Sequence, residues 1–192
     1  MASDPTVLAF DTSAAHCAAA LLSGDRVVVK AEEMGRGQAE RLMPLLEELL
    51  SGEGMRFADL DRIGVGVGPG NFTGIRISVS AARGLALGLG IPAIGVSCLA
   101  ALRAFSASDI AAIAGPRDTA YLQIGEAAPT LVPVAEVSRS AQWLTRPEEL
   151  VTSIARIAQH APADGPAPAP LYLKPADAAP SRDVPPVILN DA

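Results

Sequence analysis

Apolar positions along the chain change their period several times. Residues 6–10 form a short apolar run that ends at Asp11-Thr12-Ser13, and residues 17–22 form a second run after a tight polar turn, the pattern of a β-hairpin. Ser23-Gly24-Asp25 supplies another turn, and the β-branched stretch 26–31 completes an antiparallel meander. From 38 to 50 the spacing becomes helical: Leu42, Leu45, Leu46, Leu49 and Leu50 share one face, Glu40, Arg41, Glu47 and Glu48 lie mostly on the other, and Gly52 closes the helix. Residues 61–67 return to strand spacing and run straight into Gly68-Pro69-Gly70, with Asn71 placed as the N-cap of a long helix from Phe72 to about Leu89. Gly90-Ile91-Pro92 breaks that helix, residues 93–96 return as a strand parallel to the previous one, and Ser97 caps a short helix to about Phe105.

The second half reads less regularly. A hairpin is predicted over 110–114 and 119–124 around Gly115-Pro116-Arg117-Asp118, a strand over 131–137, and a helix over 147–160 with proline in its first turn. Residues 162–170 are proline, alanine, glycine and one aspartate, a connector that either docks or stays mobile. Residues 171–174 are predicted as a short edge strand, followed by an irregular, proline-rich tail from Pro175. The expected organisation is an α/β chain with an N-terminal subdomain, 1–105, and a shortened C-terminal subdomain, 106–192.

Composition narrows the class. Hydrophobic residues make up 49% of the 192 and charged residues only 19%, so a full core is affordable and part of the surface is expected to be apolar or covered by a partner. The net charge of −6 gives no independent grip on a phosphate backbone, so any contact with RNA is expected to be indirect. Cys17 and Cys98 lie inside apolar segments and read as buried thiols of a reducing cytoplasm. The first residues lack the basic-then-apolar pattern of a secretory signal, and no run reaches the ~18 apolar residues of a membrane span. A cytoplasmic protein is expected.

Candidate chemistry concentrates at two turns. Asp11, Thr12 and Ser13 either cradle a phosphate, with Asp11 holding a cation through water, or simply make the hairpin turn. The glycine-rich junction containing Gly68, Gly70, Asn71, Thr73 and Gly74 either offers free amides at a positive helix end or lets strand and helix approach closely. It is neither a Walker A loop nor a dinucleotide fingerprint. The two histidines, His16 and His160, occupy unrelated segments and read as ordinary surface or core residues, so no metal ligand set is expected. No Gly-x-Ser-x-Gly elbow supports a serine hydrolase. On the long helix, Ile75, Val79, Ala82, Ala86 and Leu89 form one stripe, and Ile77, Ala81, Gly84, Leu85 and Gly88 a second, small and apolar, suited to another helix.

The runs Leu8-Ala9-Phe10-Asp11-Thr12-Ser13, Gly66-Val67-Gly68-Pro69-Gly70-Asn71-Phe72-Thr73-Gly74-Ile75-Arg76 and Ile91-Pro92-Ala93-Ile94-Gly95-Val96-Ser97 together resemble the TsaB (YeaZ) family over residues 6 to 105. Leu171-Tyr172-Leu173-Lys174-Pro175 is similar to that family's C-terminal Tyr-Leu-Arg-Pro piece. The resemblance implies an actin-like (ASKHA, ribonuclease H-like) fold of two subdomains, each a mixed sheet flanked by helices, the second reduced. It also implies a non-catalytic subunit that pairs with the catalytic paralogue TsaD, alongside the ATPase TsaE, for threonylcarbamoyl transfer to the adenosine beside the anticodon of tRNAs reading codons that start with A. The paralogue's metal-binding His-x-x-x-His corresponds here to Cys98-Leu99-Ala100-Ala101-Leu102, which cannot ligate a metal in that way.

On this reading the partner surface comprises Leu42, Leu45, Leu46 and Leu49 of the first helix and Arg76, Ile77, Ala81, Arg83, Gly84, Leu85 and Gly88 of the long one. The isolated chain is expected to bind no cofactor, with ATP or ADP at the partner interface, and to form a homodimer when alone. The alternative is a small-molecule phosphotransferase or ATPase of the same fold, using Asp11 and the 68–74 loop.

Overall fold

The computed structural model describes residues 4–106 and 108–173; Lys174 and the tail predicted from Pro175 lie outside the described residues. Strands β1 (Val7–Asp11), β2 (His16–Ser23) and β3 (Arg26–Glu33) form the meander, β4 (Arg62–Gly66) pairs parallel with β1, and β5 (Ala93–Val96) pairs parallel with β4, giving the order β3-β2-β1-β4-β5. Helices α1 (Gln38–Gly52), α2 (Phe72–Leu89) and α3 (Cys98–Ser106) follow β3, β4 and β5 in turn. This is the α/β, actin-like order expected from the sequence.

Both faces of this sheet are covered, which explains the unbroken apolar runs of β1 and β2. Leu8, Phe10, Cys17, Ala19 and Leu21 point to one face, where they pack with the leucines of α1 and with Ile75, Val79 and Ala82 of α2. Val7, Ala9, Ala18, Ala20 and Leu22 point to the other face and meet Leu150, Val151, Ile154, Ala155 and Ala158 of α4 (Pro147–His160). The small residues on this second face let α4 come close: a Cβ on Gly64 would lie 3.0 Å from that of Ala158 and 3.2 Å from Ile154 Cγ2. Arg62 then closes the end of α4, donating to the carbonyls of Ala158 and Ala161.

The second sheet contains β6 (Ile110–Ala114), β7 (Thr119–Ile124), β8 (Thr130–Pro133) and β9 (Gln142–Trp143) in the order β8-β7-β6-β9, with β9 parallel to β6. That repeats the β3-β2-β1-β4 portion of the first sheet. Where α1 joins β3 to β4, a single 3-10 turn, Val134–Glu136, precedes β9. The reduction of the second subdomain is therefore the loss of a connecting helix and, among the described residues, of a fifth strand.

Three expectations need correction. The strand predicted over 131–137 ends at Pro133, which has no N–H to extend a ladder, and turns into the 3-10 segment. Residues 171–173 are not a strand; Leu171 N donates once to Val67 O at 2.8 Å, and the flanking prolines offer no further donors. The boundary at 105 assigns α4 to the second half, yet α4 packs on the first sheet, while α3 packs against β6 and β9 of the second. The connector is docked rather than loose near its end, with Pro168 buried against Gly95.

A fragment ending at residue 105 is expected to lose the cover of Val7, Ala9, Ala18 and Ala20 and to aggregate, as size-exclusion chromatography would reveal. Ile154→Ala in the full chain is expected to cost about 2–5 kcal/mol, read from urea unfolding.

Candidate functional site

The two turns singled out by sequence meet at one place. The β1–β2 turn is pressed against the start of α2: Asn71 N donates to Ser13 O at 2.6 Å, and Thr12 Oγ1 donates to Gly74 O at 2.7 Å. The glycines make this approach possible. A Cβ on Gly70 would collide with Ser13 O, one on Gly74 with Thr12 O, and one on Gly66 with the Asp11 carboxylate. Asn71 caps the helix, its Oδ1 accepting from Gly74 N at 3.0 Å. Thr73 stays exposed at the edge, and Gly68 adopts φ +96° where its backbone lies close to Leu171 O and Ile75.

Asp11 is fully buried within a small polar cluster. Its Oδ1 accepts from Ser13 N (2.9 Å), Ser13 Oγ (2.8 Å) and His16 Nε2 (2.8 Å), and Oδ2 accepts from Cys98 Sγ at 3.5 Å. An ionised carboxylate only accepts, so His16 donates from Nε2. Burial by itself would raise the Asp11 pKa, but His16 and the Ser13 donors outweigh it and hold the carboxyl below its usual range. Burial, reinforced by Asp11, pushes the Cys98 thiol well up, and burial with Glu32 pushes Cys17 up to about 11. Both cysteines are buried thiols.

Asp11, Thr12 and Ser13 have the geometry of a turn packed against a helix start. The carboxylate faces inward onto its own donors, and at the start of α2 the Asn71 side chain takes the Gly74 amide while the Ser13 carbonyl takes the Asn71 amide. A cleft of about 1470 Å³ does open between the sheets, with Ser13, Gly70 and Phe72 on one side and Gly115, Pro116 and Tyr121 on the other. At its mouth the ring of Tyr172 stacks on Phe72 at 4.7 Å, the Arg76 guanidinium lies 3.9 Å over Phe72, and Arg76 Nε donates to Tyr172 Oη at 2.9 Å.

The proposed partner surface divides. Leu42, Leu45, Leu46 and Leu49 are at most 5% exposed and belong to the core of this chain, so they form no docking face: the helix has one apolar stripe and its own sheet takes it. Arg76, Arg83, Gly84 and Gly88 are exposed on α2, with Ile77, Ala81 and Leu85 half-buried beside them. Leu87, which the sequence reading did not include, is 87% exposed on the same face. Its position three residues after Gly84 was the available signal. His16, Cys98 and Tyr172 were also missed as neighbours of the candidate residues, since only folding brings them there.

Residues 29–123 match the family described as TsaD, tRNA N6-adenosine threonylcarbamoyltransferase. The chain is 39% identical over 93 residues to the tRNA threonylcarbamoyladenosine biosynthesis protein TsaB of Escherichia coli (strain K12), covering 48% of this chain and 40% of that protein. It is 38% identical over 98 residues to TsaB of Haemophilus influenzae, covering 50% and 41%. The structure of YeaZ from Pseudomonas aeruginosa superposes with a TM-score of 0.70 at 29% identity, covering 88% of this chain and 100% of that one. The chain is thus similar to TsaB/YeaZ proteins, in sequence over about half its length and in fold over most of it. The match nonetheless spans less than half the length of either curated relative. Among the described residues no helix is long and apolar enough to cross a membrane.

The glycine junction has a structural reason in this chain: the helix starts directly against the β1–β2 turn. Gly74→Ala is expected to destabilise the fold by about 3 kcal/mol or more, because backbone rather than a flexible side chain blocks the added methyl. Asp11, with its folded-state pKa depressed, contributes stability above its unfolded value of about 3.9 and loses it as pH falls through the folded value. Asp11→Asn is therefore expected to lower stability at neutral pH and flatten the acid limb of the stability curve, measured by denaturation between about pH 2 and 7.

Proposed function

We propose that this chain is a non-catalytic, activating subunit in tRNA threonylcarbamoyladenosine biosynthesis, docking through α2 on the catalytic paralogue TsaD, with the ATPase TsaE in the same cytoplasmic system. The observation that carries the reading is the outer face of α2. Gly84 and Gly88 have open space where a side chain would stand, Ala81 and Leu85 flank them, and Leu87 is left in solvent. A face of small residues beside a protruding leucine suits close approach of a second helix. The names of the relatives supply the pathway. Contact with tRNA would then run through the complex, and ATP or ADP would sit at its interface rather than on the isolated chain. In the absence of the paralogue the same face would support a homodimer.

The inward-facing Asp11 cluster favours this reading over phosphotransfer. The inter-sheet cleft keeps a second reading in play, in which the chain binds a nucleotide by itself between the Ser13 and Gly115-Pro116 turns. Calorimetry with ATP and magnesium separates them: tight binding by the lone chain supports the enzyme, and binding only with the paralogue supports the subunit.

Gly84→Arg is expected to leave the chain folded, since nothing lies within 4 Å of the added Cβ, and to abolish co-purification with the paralogue. Unchanged co-purification of a folded Gly84→Arg variant would exclude α2 as the docking helix.

A further inference from the structure

The docking helix carries a charge pattern that its apolar stripe does not explain. The segment Phe72–Leu89 contains Arg76 and Arg83 and no acidic residue, in a chain whose net charge is −6. The two arginines are seven residues apart, so they lie on one face about 10.5 Å apart along the axis, with Ser80 and Gly84 in the same strip. Ion pairs among the described residues engage Arg26, Arg41, Arg56, Arg103 and Arg146 instead. Arg76 sits in the second turn of the helix, whose first turn holds no acidic residue to pair with it. It is held there by Phe72, which it overlies at 3.9 Å, and by Tyr172 Oη at 2.9 Å. Tyr172 is itself anchored, since Leu171 N donates to Val67 O and Pro168 is buried.

Resting on the docking role proposed above, we infer that α2 recognises an acidic helix: Arg76 and Arg83 pair with carboxylates one heptad apart on the partner, and Tyr172 is a positioning residue that sets Arg76 for this contact. Leu87 and the glycines that follow Arg83 demand a flat apolar counterpart, which a protein helix offers and an RNA backbone does not. A second copy of this chain fits less well, because a two-fold axis through paired α2 helices would bring the same arginines towards one another.

The test uses the full chain and the purified TsaD paralogue, with Kd measured across a salt series for wild type, Arg83→Gln, Arg76→Gln, Tyr172→Phe and the Arg76→Gln/Tyr172→Phe double variant, each checked by thermal melting. Arg83→Gln and Arg76→Gln are each expected to weaken binding about tenfold at low salt and to flatten its salt dependence. Tyr172→Phe is expected to weaken it by about threefold in the wild-type background and to have no further effect once Arg76 is gone. Wild-type affinity that is indifferent to salt, or glutamine variants that bind like wild type while Gly84→Arg does not, would leave the docking face standing and overturn the charge reading. A folded wild type that fails to bind the paralogue would overturn both. A homodimer weakened by Arg83→Gln, or tRNA binding by the lone chain that this substitution removes, would assign the arginines elsewhere and overturn the inference.

Discussion

The structure turns on the contact between a backbone turn and a helix end. Ser13 O accepts from Asn71 N, Thr12 Oγ1 bonds to Gly74 O, and the lack of side chains at Gly70 and Gly74 allows both. This contact sets the direction in which α2 leaves the sheet. Beneath it, the Asp11 carboxylate gathers Ser13, His16 and Cys98, drawing donors from β2 and α3 onto the end of β1. A buried polar cluster of this kind is stabilising only when its members are satisfied, and the described donors to Asp11 meet that demand.

The two halves of the chain are held together by an exchange of helices. α3 follows the first sheet but packs on the second, and α4 follows the second sheet but covers the first. Folding of either half therefore depends on an element from the other, although the strand order of the second sheet repeats most of the first. The loss of a helix between β8 and β9 shortens the second half without disturbing this exchange.

Burial of one stripe of each helix decides what remains for partners. α1 has a single apolar face, and β1 and β2 consume it; its polar face is tied to β3 through Arg41, which bonds to Glu32 and Glu48. α2 has two stripes. Ile75, Val79 and Ala82 go inward, leaving glycines, Leu87 and two arginines outward. The surface proposed for docking is thus what one sheet cannot cover, and the aromatic clamp of Phe72 and Tyr172 continues it to the mouth of the inter-sheet cleft.

Local periodicity determined most of the elements. The meander, the crossover from β4 through α2 to β5, the Asn71 cap and the hairpin of β6 and β7 were legible because each rests on neighbours in the chain: alternation, 3.6-residue spacing, and the turn chemistry of glycine, asparagine and proline. β9, two residues long, has no room to display a period. Which apolar stripe is buried was equally invisible, since a leucine row on α1 and a small-residue row on α2 look alike as candidate interfaces until the sheet is in place. The meeting of Asp11 with His16 and Cys98, of Tyr172 with Arg76, and of α4 with β1 likewise depends on residues that only the fold brings together, such as Asp11 and Cys98, 87 positions apart, and Arg76 and Tyr172, 96 apart. Sequence determined the secondary structure through short-range sterics and hydrogen bonding; only tertiary packing, which allots each apolar face to one neighbour, decided what is core, what is surface and which way each charge points.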